Sequence, residues 1–160
     1  MARIPGATID PKFLRRFELF ATVSDRDAEA LARAFQREDF RAGEQIFAEG
    51  DPGDRLYLVA VGSVRISQML GTMKEEALAI LRPGQCFGDM SIIDSQPRSA
   101  HAFAHEPCVL YSIDQGVFLT ILQLDANLAI NVLFQFLRSL SGRLRDSNEK
   151  IRAMNIMAMW

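Results

Sequence analysis

The sequence predicts an α+β fold, in which an all-β barrel or sandwich lies between N-terminal helices and one long C-terminal helix. Three patterns predict this fold. Apolar residues recur at helical spacing as far as Gln36, short β-rich runs separated by glycines follow as far as Ile113, and a heptad pattern occupies the last third of the chain. Turn signals at short, regular intervals favour several short strands, which form either a barrel or a sandwich.

Two amphipathic helices are predicted at the N-terminus. Between Asp10 and Phe20 the large apolar residues fall on one helical face. Ser24 precedes a second apolar stripe, and Asp27 stands three residues later, where a capping box has its acidic partner. We therefore expect the second helix to extend from Asp25 to about Gln36.

The all-β unit is predicted from runs rich in β-branched, aromatic and aliphatic residues. These runs cover residues 45–48, 56–61, 64–68, 76–81, 101–104 and 108–113. Between the first two, Asp51-Pro52-Gly53-Asp54 predicts a tight turn, because proline fixes φ and glycine tolerates backbone conformations closed to other residues.

The C-terminal third is predicted to form a short helix over residues 115–124 and a long helix from about residue 127. Residues spaced alternately four and three apart form a heptad seam: Leu133, Leu137, Leu140, Leu144, Ser147, Ile151, Met154 and Ala158. So narrow a seam favours contact between two copies of the chain over packing on its own domain. The polar pair Ser147 and Asn148 either fixes the register of the dimer or faces a polar ligand at the seam.

The residues most suited to binding chemistry lie at positions 87–100. Gly88 lets the backbone approach a ligand closely, and the amides that follow it can bind an anion. Arg98 offers a fork of donors suited to phosphate oxygens, Ser99 adds a donor, and Asp89 can accept from sugar hydroxyls. The alternative is structural, with Arg98 in a surface ion pair with Asp89 or Asp94 and Gly88 in a simple turn.

Residues 87–100 closely resemble the phosphate-binding cassette of cyclic-nucleotide-binding domains, and we call this segment the cassette. Residues 40–51 and 57–64 are similar to the same family, so that the resemblance covers about residues 13–125. It implies a double-stranded β-helix, also called a jelly-roll or β-roll. Residues 1–125 are then the binding domain with its N-terminal helices, and residues 126–160 form a dimerisation helix.

The resemblance also implies roles for individual residues. Gly88 and the following amides would cap the cyclic phosphate, Arg98 would pair with its exocyclic oxygens, and Ser99 matches a phosphate-contacting position. Asp89 stands where the family usually has a glutamate that holds the ribose 2′-hydroxyl, and it is one methylene shorter. The predicted ligand-binding residues are Gly88, Asp89, Met90, Ser91, Arg98, Ser99, Ala100, Ser147 and Asn148.

Residues 143–150 are similar to the dimerisation helix of the cAMP receptor protein (CRP/FNR) family, where Ser147 and Asn148 would touch the base. In that family a DNA-binding domain follows, whereas this chain stops at Trp160. The expected function is therefore the cyclic-nucleotide sensing domain of a transcription regulator, a homodimer whose DNA contacts require a domain missing from this chain. The expected ligand is cAMP or a related cyclic nucleotide. The alternative is a stand-alone or degenerate module with an empty pocket or another ligand, such as cyclic di-GMP.

Composition and residue content argue against several other classes of protein. A formal net charge of −2 argues against a surface that mainly binds nucleic acid or anionic membrane, and no apolar run is long enough to span a bilayer. Cys86 and Cys108 are expected to be reduced thiols in a cytoplasmic protein. His101 and His105 alone make a poor metal site, so that neither a metal nor enzymatic activity is expected; haem ligation by one of them is a minor alternative.

Overall fold

The computed structural model describes residues 2–4, 8–70 and 74–157, with side chains described for residues 8–69 and 75–157. Its strands are β1 (Ala2–Ile4), β2 (Gln36–Phe40), β3 (Gln45–Phe47), β4 (Arg55–Val61), β5 (Val64–Leu70), β6 (Lys74–Leu81), β7 (Cys86–Phe87), β8 (His101–Ala104) and β9 (Cys108–Asp114). Its helices are α1 (Pro11–Leu14), a 3-10 turn (Glu18–Phe20), α2 (Asp25–Ala34), α3 (Asp89–Asp94), α4 (Gln115–Leu124) and α5 (Ala126–Met157).

The strands form two antiparallel sheets that pack face to face. One sheet has the order β1-β2-β9-β4-β7 and the other the order β3-β8-β5-β6. Buried side chains from both sheets meet between them: Phe40, Tyr57, Val59, Val64, Phe87, Ala102, Ala104, Cys108 and Leu110. Because each strand presents alternate residues to the interior, this layer excludes water from the space between the sheets. The predicted β-roll with flanking helices is confirmed.

A second core lies where the helices cover the five-stranded sheet. Phe20 makes edge-to-face contacts with Phe35 and Phe118, and Phe118 makes one with Phe136 of α5. The same cluster includes Leu56 and Ile113 from the sheet, Ile92 from α3, and Leu128 and Val132 from α5. The start of α5 is therefore packed on the domain. Helix α3 contributes one buried residue, Ile92, to the same core.

Several sequence predictions match the structure closely, and two do not. The bounds of α4 are those predicted, and Ser24 caps α2 by accepting a hydrogen bond from the amide of Asp27 at 3.1 Å. The single helix predicted over residues 10–20 is wrong, because α1 ends at Leu14 and a separate 3-10 turn follows. The expected end of α2 was also too late, since Gln36 begins strand β2.

The long C-terminal helix is confirmed, from Ala126 to Met157. Asp125 accepts hydrogen bonds from the amides of Asn127 at 2.9 Å and Leu128 at 3.0 Å, which marks the helix start. Of the predicted seam, Ala158 lies outside the described residues. Within the described ranges, no helix is both long and apolar enough to cross a membrane.

Candidate functional site

The cassette connects β7 to β8 and contains α3. Gly88 is the N-cap of α3 with φ of +78°, and Ser95 ends the helix in the left-handed region with φ of +55°. The side-chain amide of Gln115, at the start of α4, donates to the carbonyl oxygens of Ser91 at 3.3 Å and Ile92 at 3.0 Å and to Ser95 Oγ at 3.2 Å. The C-terminal end of α3 is thereby held by α4, since this side-chain amide donates to its last carbonyls and to its cap residue.

Gly88 is required both by its backbone conformation and by its surroundings. A Cβ atom at this position would meet Arg98 Nη1 at 2.5 Å and the carbonyl oxygen of Arg55 at 2.8 Å. Both distances are too short for a carbon contact, so the arginine side chain must shift before any larger residue fits.

Replacing Gly88 by alanine is expected to destabilise the fold and to displace Arg98. The left-handed backbone alone costs roughly 1–2 kcal/mol for an alanine, and the close contacts add to that. Urea unfolding of the variant and the wild type measures the difference. A matched control is Gly43→Ala, which has a similar φ of +79° but no neighbour within 4 Å. Equal losses in the two variants would contradict a steric role for Gly88.

Arg98 is held in place along both its backbone and its side chain. Its amide donates to the carbonyl of Asp51 at 2.8 Å, and its own carbonyl accepts from the amide of Gly50 at 2.8 Å. Its guanidinium donates from Nη1 to the Gly88 carbonyl at 3.1 Å and from Nη2 to the Arg55 carbonyl at 2.8 Å. The turn at residues 50–54 and the cassette therefore position this side chain together.

The positive charge of Arg98 is buried, and its counter-ion among the described residues lies at the limit of ion-pair distance. The residue is 4 % exposed, and the nearest carboxylate oxygen, Asp54 Oδ1, lies 3.9 Å from Nη2. Burial lowers the pKa of Arg98 below its usual range, since desolvation disfavours the charged form. Among the described residues, no hydrogen-bond acceptor contacts its buried Nε. An anion placed against the guanidinium would supply acceptors and a closer negative charge than Asp54 does.

Aromatic side chains surround the guanidinium on the apolar side. Its Cζ atom lies 4.2 Å from the ring centre of Phe47 and 5.9 Å from that of Tyr57. Tyr57 stacks on Phe87 with ring centres 5.1 Å apart, and burial raises the pKa of Tyr57 to about 12. The phenol is therefore neutral at physiological pH, and these rings hold Arg98 through cation–π contact rather than through negative charge.

A buried polar cluster lies behind this aromatic layer. Ser112 Oγ donates to Glu38 Oε1, and Arg55 Nη1 lies 3.3 Å from that oxygen and 3.3 Å from Ser112 Oγ. Glu38 is fully buried, so its charge requires these donors. The cluster fixes Arg55, whose carbonyl is one of the two acceptors for Arg98.

Asp89, the first residue of α3, is 3 % exposed and its carboxylate is bound by Arg143 of α5. Arg143 Nη2 donates to Asp89 Oδ2, and Nη1 lies 3.4 Å from Oδ1. The alternative surface pairing of Arg98 with Asp89 or Asp94 does not occur in this structure. Instead, the carboxylate of the cassette joins it to the C-terminal helix.

The other predicted site residues differ in their surroundings. Ser91 and Ala100 are buried, whereas Met90 and Ser99 are exposed, and the carbonyl of Ser99 accepts from Gln68 Nε2 at 3.2 Å. Ser147 and Asn148 are exposed on α5, one turn beyond Arg143. The structure therefore groups the seven cassette residues in one segment and places the remaining two on the C-terminal helix.

Sequence reasoning missed several residues that contact the predicted site, among them Phe47, Arg55 and Arg143. Arg143 had a usable signal, because it precedes Ser147 by four residues and therefore shares its helix face. Phe47 and Arg55 had none, since they lie on strands β3 and β4, far from the cassette in sequence.

The histidines have ordinary surroundings. His101 Nδ1 accepts from the amide of Glu49 at 3.1 Å. Within the part of the chain that the structure describes, no three His, Cys, Asp or Glu residues are grouped as metal ligands would be. Cys86 and Cys108 are free, and burial raises their pKa values to about 12 and about 11.

Comparison with known proteins agrees with this geometry. A family model described as the cyclic nucleotide-binding domain matches residues 37–125. The CRP-like cAMP-activated global transcriptional regulator of Mycobacterium tuberculosis is 32 % identical over 140 residues, which are 88 % of this chain and 61 % of that protein. The cyclic AMP receptor protein of Thermus thermophilus is 34 % identical over 130 residues, 81 % of this chain and 58 % of that protein.

A solved structure of similar extent is the N-terminal domain of a transcriptional regulator from Streptomyces coelicolor A3(2). It superposes with a TM-score of 0.72 at 31 % identity, covering 87 % of this chain and 94 % of that one. The chain thus spans about 60 % of the length of the curated regulators that it matches. These relatives are regulatory proteins, which agrees with the expectation of a binding module rather than an enzyme. This chain belongs to the cyclic nucleotide-binding domain family.

Proposed function

We propose that the chain senses cAMP as the regulatory domain of a CRP/FNR-like transcription regulator. The observation that supports this most directly is the buried guanidinium of Arg98 beside the Gly88 turn, whose Nε meets no acceptor in the part of the chain that the structure describes. A cyclic phosphate carries a single negative charge and exocyclic oxygens that accept from a guanidinium. The proposed contacts are those of Gly88, Asp89, Met90, Ser91, Arg98, Ser99 and Ala100, with Ser147 and Asn148 near the base.

The surface of α5 supports a homodimer. Beyond Phe136 no described residue of the helix is buried in the single chain, yet the seam residues Leu137, Leu144, Ile151 and Met154 are apolar and exposed. A sustained apolar stripe exposed on a helix favours pairing with a second helix. Because Ser147 lies within this stripe, a ligand that touches it would change how the two helices pack.

The choice of cAMP is supported by the names of the relatives, two of which are described as cAMP-activated or cAMP receptor proteins. We further propose that residues 1–125 form the sensing domain and residues 126–160 the dimerisation helix. DNA would be bound only by a domain outside this chain, and a cytoplasmic location stays a prediction. No metal is part of the proposed site.

Isothermal titration of the purified chain with cAMP, cGMP and cyclic di-GMP tests this function. We expect cAMP to bind with Kd of about micromolar or tighter, and more tightly than the other two. Preference for cGMP or cyclic di-GMP would overturn the assignment of the ligand. No binding of any of the three by folded protein would overturn the sensor function and favour a degenerate module.

A further inference from the structure

We infer that His101 is a positioning residue for the phosphate site, and that a proton on its imidazole opposes the binding of cAMP. The inference rests on the proposed function, although His101 is not one of the residues proposed to touch the nucleotide. It is the first residue of β8 and follows the cassette directly. Neutral His101 holds the segment that fixes the backbone of Arg98, and protonated His101 cannot hold it in the same way.

The first support is the hydrogen bond that His101 accepts. Its Nδ1 accepts from the backbone amide of Glu49, and the two nitrogens are 3.1 Å apart. A ring nitrogen that accepts a hydrogen bond carries no proton, so the proton of the neutral ring is on Nε2. A second proton would occupy Nδ1 and convert the acceptor into a donor that faces another donor. Protonation of His101 therefore breaks this hydrogen bond.

The second support is the position of Glu49 in the chain. The two residues that follow it are hydrogen-bonded to the backbone of Arg98 on both sides. The Gly50 amide donates to the Arg98 carbonyl at 2.8 Å, and the Arg98 amide donates to the Asp51 carbonyl at 2.8 Å. Loss of the contact with His101 thus loosens the segment that carries these two bonds.

A second set of hydrogen bonds connects the same segment to the cassette. Gln68 Nε2 donates to the carbonyl of Ser99 at 3.2 Å and lies 3.5 Å from Glu49 Oε1. Both residues that are proposed to contact the phosphate from this end of the cassette, Arg98 and Ser99, are therefore positioned by contacts with residues 49–51 and 68. Such preorganisation raises affinity, because fewer groups have to be ordered when the ligand binds.

The third support is the charge around the imidazole. Glu49 Oε2 lies 3.8 Å from His101 Nε2, and the histidine side chain is 21 % exposed, so protons reach it from solvent. On β6, the pKa of Glu75 is lowered, first by the hydrogen bond from Ser67 and also by the charges of Arg65 and His101. Arg65 Nη1 donates to Glu75 Oε1 at 2.7 Å, so that carboxylate already has a cationic partner. An imidazolium is therefore attracted to the Glu49 carboxylate, which offsets its charge and draws the ring away from the amide.

The test measures the affinity of the full chain for cAMP by titration calorimetry at about pH 8 and about pH 6, within the range in which histidine changes its charge. The cyclic phosphate keeps its single negative charge at both values, so a change in affinity reports a change in the protein. We expect the wild type to bind cAMP about threefold or more weakly at the lower pH, as the loss of one hydrogen bond would give. His101→Asn keeps an acceptor near the position of Nδ1 but cannot be protonated, so it should bind equally at the two pH values.

Two further variants separate the role of His101 from a general effect of pH. His101→Leu removes the acceptor at every pH, and we expect it to bind cAMP weakly at both values. His105→Asn is the matched control, since it replaces the other histidine of the chain, which is exposed, and it should keep the pH dependence of the wild type.

Each outcome decides for or against the inference. A wild-type affinity that stays constant or rises as the pH falls would overturn it, as would a His101→Asn variant with the pH dependence of the wild type, and both results leave the sensor function intact. Failure of the wild type to bind cAMP at either pH would overturn the proposed function, and the inference with it.

A measurement on the wild type decides the matter if a substitution prevents folding. Nitrogen NMR of the two imidazoles distinguishes the tautomers, and we expect His101 to carry its proton on Nε2 at about pH 8. Its nitrogen signals should shift over the same pH range in which the affinity for cAMP falls. A proton on Nδ1 at the higher pH, or a shift confined to another pH range, would show that His101 does not control binding.

Discussion

Replacing Arg98 by alanine is expected to abolish measurable cAMP binding. The guanidinium of Arg98 contacts the carbonyl of Gly88, and each hydrogen bond to a charged group contributes about 1.5–3 kcal/mol. Loss of two such bonds weakens binding by at least about a hundredfold. The fold also loses stability, roughly 1–3 kcal/mol, because the carbonyl oxygens of Gly88 and Arg55 lose a buried donor.

Titration calorimetry with cAMP measures the loss of binding, and urea unfolding measures the accompanying loss of stability. Arg98→Lys separates charge from geometry, because lysine keeps the positive charge but cannot donate in a fork. Arg82→Ala, at an exposed arginine outside the cassette, is the control and should bind as the wild type does. Unchanged affinity in a folded Arg98→Ala variant would refute the assignment of the phosphate site.

Replacing Leu144 by aspartate is expected to convert the proposed dimer to a monomer. Leu144 is 63 % exposed in the single chain and Leu137, two seam positions earlier, is 58 % exposed, so neither is needed for the fold of one copy. In a dimer, each copy would place its aspartate against the other within an apolar seam. Burying an unpaired carboxylate costs several kcal/mol, which is enough to dissociate a helix pair.

Sedimentation equilibrium over a range of protein concentrations measures the change in assembly. Arg138→Asp is the matched control, since it introduces the same carboxylate on an exposed position outside the seam. The control should stay dimeric while Leu144→Asp sediments as a monomer with unchanged helix and strand content. A Leu144→Asp variant that is still dimeric at micromolar concentration would show that the two copies meet elsewhere.

The fold could be predicted from the sequence where local signals were strong. Strands separated by glycines and a helix with a heptad pattern have periods that identify them without tertiary information. In the structure Asp114 caps α4, which fixes where that helix begins. Strand β2 was missed because its interior residue Glu38 is charged yet buried. Only the donors of Ser112 and Arg55, distant in sequence, make that burial tolerable.

The candidate site could be predicted only where the residues that form it lie close together in the sequence. Gly88 and Arg98 are recognisable because one segment carries both the turn and the cation. The pairing of Arg143 with Asp89 was harder to predict. The four-residue spacing to Ser147 places Arg143 on the same helix face, but only the packing of α5 on the domain brings it to the cassette. Contacts between segments 54 residues apart leave no periodic pattern for a sequence reader to find.

Gly142 separates a part of α5 that is packed on the domain from a part that is exposed. The helix before it is fixed to the domain through Leu128, Val132 and Phe136, whereas the helix after it has no buried residue up to Met157. A Cβ at Gly142 would meet nothing within 4 Å, so no crowding requires a glycine there, and the residue weakens the helix by about 1 kcal/mol relative to alanine. That amounts to roughly a fivefold shift towards unwound conformations at this point. The glycine therefore makes α5 easier to bend just before Arg143, the residue through which the helix contacts the cassette.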